Sequence, residues 1–369
     1  MNNFFIKNDN FTKLLYSQFL SLCGGYIQNV ALSAMITQKD DKYLKLGLFL
    51  FVSYLPVFLL SYFTGKLTNR ISPIKILIVT EFLLLSMSVI LFIFWNMSYY
   101  MLLVFGGLWG VVRAVQTPAA NSMPKLLCEE NNLQKNVKKL SLALSVSRAV
   151  GPIVSGVLYS AFNYRASFFA NILSYIPSLI LLFKIKFDFK PMRTKKSRIN
   201  INKPLIVLVF VLSLFGTAYN IIFSGIVKTL ELSRFWFSVF MALVGTGAAF
   251  GAWIMTKRKS MLYAFFGVSI SALLLALFKN LFVICPVIVA YGIFDYLFFT
   301  SAMSKIQSEN DRQSVTSAMG VYTAATTGAL PVGFLLLSFL SDKFGALSVP
   351  FTIAGATAIF GWAFFAKMR

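Results

Sequence analysis

Apolar residues run through this chain in blocks of about twenty, parted by short polar and basic stretches. A hydrocarbon core needs roughly 20 predominantly apolar residues per helix. On that measure the pattern predicts about twelve spans, at 14–36, 46–66, 76–95, 99–122, 140–162, 166–185, 205–227, 235–256, 261–278, 281–304, 315–338 and 346–366. Several contain Pro or Gly, which membrane helices tolerate because neighbouring groups satisfy the freed backbone. The fold class is therefore an all-α membrane protein.

Basic residues give the spans an orientation. Taken loop by loop, 24 Lys and Arg fall on the side of the N-terminal tail and 8 on the other, with two arginines inside spans. Basic loops stay in the cytoplasm, so both termini and the central loop are expected there; an even span count agrees. The N-terminal MNNFFIKNDNFTK is polar, lacks a small-residue cleavage site and is read as a retained tail. The longest polar stretch, KIKFDFKPMRTKKSRININK, divides the chain into a first half (1–185), a cytoplasmic linker (186–203) and a second half (204–369). Its basic residues suit anionic lipid headgroups.

The halves look related. Gly151-Pro152-Ile153-Val154-Ser155-Gly156 in the fifth span corresponds to Gly328-Ala329-Leu330-Pro331-Val332-Gly333 in the eleventh. Ser122-Met123-Pro124-Lys125 likewise corresponds to Ala302-Met303-Ser304-Lys305. Two related six-span halves are the plan of secondary transporters whose substrate site lies near the midplane between them.

Composition excludes other classes. Of 369 residues, 58% are hydrophobic and 12% charged, too few charges to cover a soluble protein of this size. The net charge of +22 is scattered in inter-span clusters rather than along one face, which argues against a nucleic-acid partner. Histidine is absent, and Cys23, Cys128 and Cys285 are too far apart for a CxxC metal site. No phosphate loop or catalytic dyad occurs, so no cofactor, no metal and no enzymatic activity are expected. Gly245-x-Gly247-x-x-x-Gly251 follows no strand and is read as a helix-packing strip.

The loop after the second span reads Gly65-Lys66-Leu67-Thr68-Asn69-Arg70-Ile71-Ser72-Pro73-Ile74-Lys75. It resembles the major-facilitator signature G-x-x-x-D-R-x-G-x-R-R, with Gly65, Arg70 and Lys75 in place and Asn69 where the family has an acid. That resemblance implies the twelve-helix major facilitator fold. It also implies a close approach of spans two and eleven at Gly65, and a latch on the outward-facing state that Asn69, uncharged, weakens. A second resemblance covers residues 117–185. Thr117-Pro118-Ala119-Ala120, Met123-Pro124-Lys125, Ser147-Arg148-Ala149-Val150-Gly151-Pro152 with Gly156, and FFANILS at 168–174 are similar to the exporter branch that includes macrolide efflux pumps and the enterobactin exporter. In that branch the Gly-Pro run is associated with antiport. On physical grounds, Gly151, Ser155 and Gly156 form a small-residue strip for close helix approach, and Pro152 bends the helix. The strip is either a gate element or a packing surface.

Four charges lie inside spans: Glu81, Arg113, Arg148 and Asp295. Each would cost about 2.5–3.5 kcal/mol at a lipid-facing helix centre, so each is expected to face the bundle interior or a cavity. Glu81 is read first as a structural partner of Arg113 or Arg148, and second as a proton carrier. Arg113 and Asp295 occupy matching depths in spans four and ten. A buried carboxylate there can exchange a proton in response to its surroundings, which makes Asp295 the leading proton-coupling candidate, against a permanent salt bridge between the halves. Arg148 is open to an anionic substrate group, a carboxylate or a backbone carbonyl.

Tyr26, Gln28 and Asn29 in span one and Tyr219 and Asn220 in span seven are the remaining candidates for a substrate cavity. Aromatic residues make up 16% of the chain, and Phe and Met walls with few polar groups suit an amphipathic compound better than a sugar. The sequence thus points to a monomeric exporter in a bacterial cell membrane, moving an amphipathic small molecule in exchange for protons. An importer or lipid transporter of the same fold, and a transport-inactive receptor or scaffold, are the alternatives.

Overall fold

The computed structural model describes the backbone of residues 2–39, 42–67, 71–127, 130–186, 200–216, 218–254, 261–310 and 315–368. Among these, every regular element is an α-helix: α1 (Asn2–Lys39), α2 (Tyr43–Leu67), α3 (Pro73–Ile93), α4 (Tyr99–Leu127), α5 (Glu130–Ala161), α6 (Tyr164–Phe183), α7 (Lys203–Gly216), α8 (Tyr219–Thr229), α9 (Phe235–Ile254), α10 (Met261–Leu277), α11 (Leu281–Ser308), α12 (Val315–Phe344) and α13 (Ser348–Met368). Ten helical stretches are long and apolar enough to cross a membrane, with α7 and α8 counted as one, and two shorter apolar helices lie at Met261–Leu277 and Ser348–Trp362. The apolar blocks thus become twelve passes.

Two features depart from the expected pattern. Helix α1 begins at Asn2, so it runs back through the polar tail that precedes the first predicted span. The seventh span, expected as one helix over 205–227, is broken between Gly216 and Tyr219. Glycine is a poor helix former, and Ala218, with φ −82° and ψ 44°, has left the helical path. The carbonyl freed at Gly216 is met by the Tyr291 hydroxyl at 2.5 Å.

The chain forms two compact units. Unit 1 takes Met1–Leu32 and Pro56–Thr194; unit 2 takes Ser33–Leu55 and Lys195–Arg369. In unit 1, α3 packs on α4 and α6, and α5 packs on α4 and α6. Helix α1 joins them through side-chain to backbone bonds: Ser155 Oγ donates to the Ile27 carbonyl at 2.8 Å and Ser147 Oγ to that of Phe19 at 3.2 Å. A Cβ at Gly151 would come within 2.6 Å of the Tyr26 Cβ and 3.0 Å of the Cys23 carbonyl. The small-residue strip of α5 therefore faces α1.

In unit 2, α11 packs on α9 and α10, α13 on α7 and α10, and α12 on α7. The glycine strip of α9 does what its spacing suggests. A Cβ at Gly247 would lie 3.0 Å from the Ile293 amide nitrogen, and one at Gly251 would lie 3.1 Å from the Ile293 carbonyl. Gly333 of α12 abuts the backbone of Leu214 in α7. Gly151 thus lies close against α1 in unit 1, and Gly333 close against α7 in unit 2.

Each end of the predicted linker is fixed by an asparagine. The Asn10 amide donates to the Lys186 carbonyl at 2.8 Å in unit 1. In unit 2, the Asn310 side chain accepts from the Asn200 amide at 2.9 Å and donates to its carbonyl at 2.8 Å.

Candidate functional site

Unit 1 carries a polar core that the apolar pattern hides. Glu81 of α3 is fully buried. Burying a carboxylate is costly unless donors surround it, and three helices supply them. Ser178 of α6 lies 2.5 Å from Oε1, Gln116 Nε2 of α4 donates to Oε2 at 2.7 Å, and Ser21 of α1 adds a third bond. Ser17 Oγ lies 2.8 Å from Ser178 Oγ. With its single proton directed at Glu81, Ser178 accepts from Ser17, so the chain of donors runs inward.

Gln116 has a second role. Its carbonyl oxygen accepts from Arg113 Nη1 at 2.7 Å, and the Arg113 guanidinium lies 5.4 Å from the centre of the Trp109 ring. Glu81 and Arg113 are therefore connected through one amide rather than in direct contact. A half-buried guanidinium is held from behind by a fully buried carboxyl group.

Two turns away, Gln28 of α1 is buried. Its side-chain oxygen accepts from Ser88 of α3 and from Asn171 of α6, each at 2.8 Å. Gln28, expected on a cavity wall, is thus bound within the core of unit 1. Asn171 also hydrogen-bonds Tyr175, which is itself buried. Tyr26, Asn29 and Arg148 are half-buried, while Pro152 and Gly156 are buried in α5.

The sequence carries a sign of this core that composition misses. Ser167, Asn171, Ser174 and Ser178 recur at intervals of four, three and four along α6, and Ser17, Ser21, Gly24 and Gln28 do the same along α1. Residues at that spacing share one helix face. The two polar faces meet, and Gly24 leaves no room for a side chain against Ser174 and Asn171.

Unit 2 has a different arrangement. Asp295 of α11 is 5% exposed. The Tyr219 hydroxyl, in the first turn of α8, donates to its Oδ2 at 2.5 Å. Tyr291, one turn before Asp295 on α11, donates to Gly216 at the end of α7 and packs edge-on against Tyr219, with ring centroids 5.8 Å apart. The broken span is therefore tied to α11 on both sides of its break. Asn220 is half-buried beside Tyr219. Tyr322 of α12 donates to the Phe299 carbonyl at 2.9 Å.

Of the loop signature, Gly65 falls within α2 and Lys75 is exposed in the first turn of α3; Asn69 and Arg70 lie outside the described residues. Helix α3 starts with Ser72 at the N-cap position and Pro73 in its first turn. Among the described residues, no group of three or more His, Cys, Asp or Glu could hold a metal ion.

Comparison with known proteins places this geometry. The chain is 22% identical to the staphyloferrin A transporter of Staphylococcus aureus, over 94% of each chain. It is 21% identical to macrolide efflux protein A of Streptococcus pyogenes, over 93% of this chain and 91% of that one. In structure it is similar to the nucleoside transporter NupG, with a TM-score of 0.78, 11% sequence identity, and coverage of 98% of this chain and 100% of the other. The family model described as "Major Facilitator Superfamily" matches residues 14–333. Matched over most of its length, and folded as a multi-pass bundle of apolar helices, the chain belongs to the Major Facilitator Superfamily, a family of membrane transporters of small molecules rather than enzymes.

Proposed function

We propose that the chain is a proton-coupled exporter of an amphipathic small molecule, monomeric in the bacterial cell membrane, with both termini and the 186–203 linker in the cytoplasm. It works by alternating access between halves 1–185 and 204–369. The observation that carries this reading is the Tyr219–Asp295 pair, a buried carboxylate bonded to the first turn of a helix segment set off by a backbone break. Discontinuous helices at the midplane are where secondary transporters bind coupling ions. A carboxylate that gains and loses a proton there changes what holds α8 to α11. Export is supported by the likeness to a macrolide efflux protein, and the half-buried Arg113 offers a cation to an acidic group on the cargo.

In the cycle, Asp295 takes a proton when open to the outside and yields it to the cytoplasm, with Arg113 and the substrate biasing the exchange. The test is transport in proteoliposomes with an imposed pH gradient, using a macrolide and staphyloferrin A as the first probes. Asp295→Asn should abolish uphill movement while leaving substrate binding and downhill exchange, because the amide mimics a protonated acid. Normal uphill transport by Asp295→Asn removes the coupling role.

A further inference from the structure

Residues 33–55 precede most of the first half in sequence, yet they pack within unit 2. The join is a seam between α2 and α12. At its head, the carboxylate of Asp342, near the end of α12, spans the first two amides of α2. Tyr43 N–H donates to Oδ1 at 2.7 Å and Leu44 N–H to Oδ2 at 2.9 Å. Lys228 of α8 lies with Nζ 4.8 Å from the centre of the Tyr43 ring. One turn along, a Cβ on Gly47 would come within 2.7 Å of the Phe334 carbonyl and would collide with Ser338. At the far end, the rings of Tyr54 and Phe334 lie 5.5 Å apart.

The chemistry at the head differs from the rest. The first amides of a helix have no partner within it, and a negative group there is favoured by both hydrogen bonding and the helix dipole. The body of the seam is close packing; the head is a charge-assisted bond between an exposed carboxylate and an exposed helix start. Water can replace such a bond at small cost, so it can break and re-form within a transport cycle. The loop at the other end of α2 has Asn69 where the family signature has an acid. The acid of this helix pair stands at the opposite end, on the side that the basic residues assign away from the cytoplasm.

We propose that Asp342 is the latch of an outer gate: it holds the first turn of α2 on α12 in the arrangement described here and releases it when the cavity opens away from the cytoplasm. The proposal rests on the alternating-access reading above but not on proton coupling.

The experiment reads the seam directly. Spin labels at Leu44→Cys and Phe344→Cys, with Cys23, Cys128 and Cys285 changed to Ser, give the distance between the two helix ends by EPR in lipid nanodiscs, with no substrate or gradient. The unaltered seam should give mainly a short distance. Asp342→Ala should raise the ratio of long to short distances about five-fold, the change that ~1 kcal/mol for a lost N-cap corresponds to. Asp342→Asn, which keeps one acceptor oxygen and the packing, should move the ratio in the same direction by less, and Asp342→Glu should keep the short distance. An unchanged distribution in Asp342→Ala, or in Asp342→Asn should the alanine variant not fold, overturns the latch. Because no transport is measured, failure of the coupling reading would leave this result standing.

Discussion

The Tyr219 hydroxyl donates to the Asp295 carboxylate at 2.5 Å, and the two residues belong to helices that meet at a break in the seventh span. A hydrogen bond to a charged group contributes about 1.5–3 kcal/mol. Tyr219→Phe should therefore lower the thermal midpoint of the purified protein. Asp295→Asn should lower it less, since the amide oxygen still accepts from Tyr219. Equal midpoints for Tyr219→Phe and the parent protein would show that this bond contributes nothing to stability.

Glu81 is expected to hold unit 1 together rather than to carry the transported proton. Glu81→Ala leaves Ser178, Ser21 and Gln116 without their acceptor. Unsatisfied buried donors cost about 1–3 kcal/mol each, so this variant should show a large fall in thermal midpoint or no folded protein. Ser178→Ala should cost about 1–3 kcal/mol by the same measure. A folded, fully stable Glu81→Ala would refute the structural role.

Gln116 separates position from charge. Gln116→Leu removes the amide that links Glu81 to Arg113 while leaving both side chains in place. Transport should weaken through a rise in KM, since the guanidinium loses its fixed orientation. If Gln116→Leu transports as the parent does and Arg113→Ala does not, Arg113 acts without this support.

The close glycine contacts of the two units should both resist added volume. Gly151→Val presses on Tyr26 and the Cys23 carbonyl, and Gly333→Val on the Leu214 backbone. Overpacking costs typically about 1–3 kcal/mol, so both should lower the thermal midpoint by comparable amounts. Gly156→Leu should block transport while leaving expression measurable; full activity would remove any gating role for that part of α5.

Orientation is testable by cysteine labelling in intact cells, after replacing the native cysteines. A cysteine at Ser197 should escape an impermeant reagent, and one at Asp41 should react. The reverse pattern would overturn both the orientation and the export assignment.

The twelve passes were legible because lipid allows few solutions: each needs about twenty apolar residues, and the hydrocarbon thickness sets the period. The break at Gly216 was not, because Gly216-Thr217-Ala218 lies in an uninterrupted apolar run, and only Tyr291, 75 positions away, marks the freed carbonyl. Serine explains much of the rest. A single Ser in a span is unremarkable, so the donors around Glu81 were invisible one at a time, and only their four-three-four spacing on α1 and α6 announces a shared face. That spacing also accounts for Gln28, whose neighbours on α1 point it at Ser88 and Asn171 rather than at open space. The Asp342 cap depends on residues some 298 positions apart and leaves no local trace.

The interruption of the seventh span gives the chain a lever. Helix α8 is 11 residues long, about 16 Å at the standard rise, and Ala218 at its start has a non-helical backbone. A rotation of about 20° at Ala218 would carry the far tip roughly 5–6 Å, about the width of two water molecules, with α7 left where it is. A small change in the grip of one tyrosine on one carboxylate can thus be magnified into a stroke at the membrane surface, without any helix having to unwind.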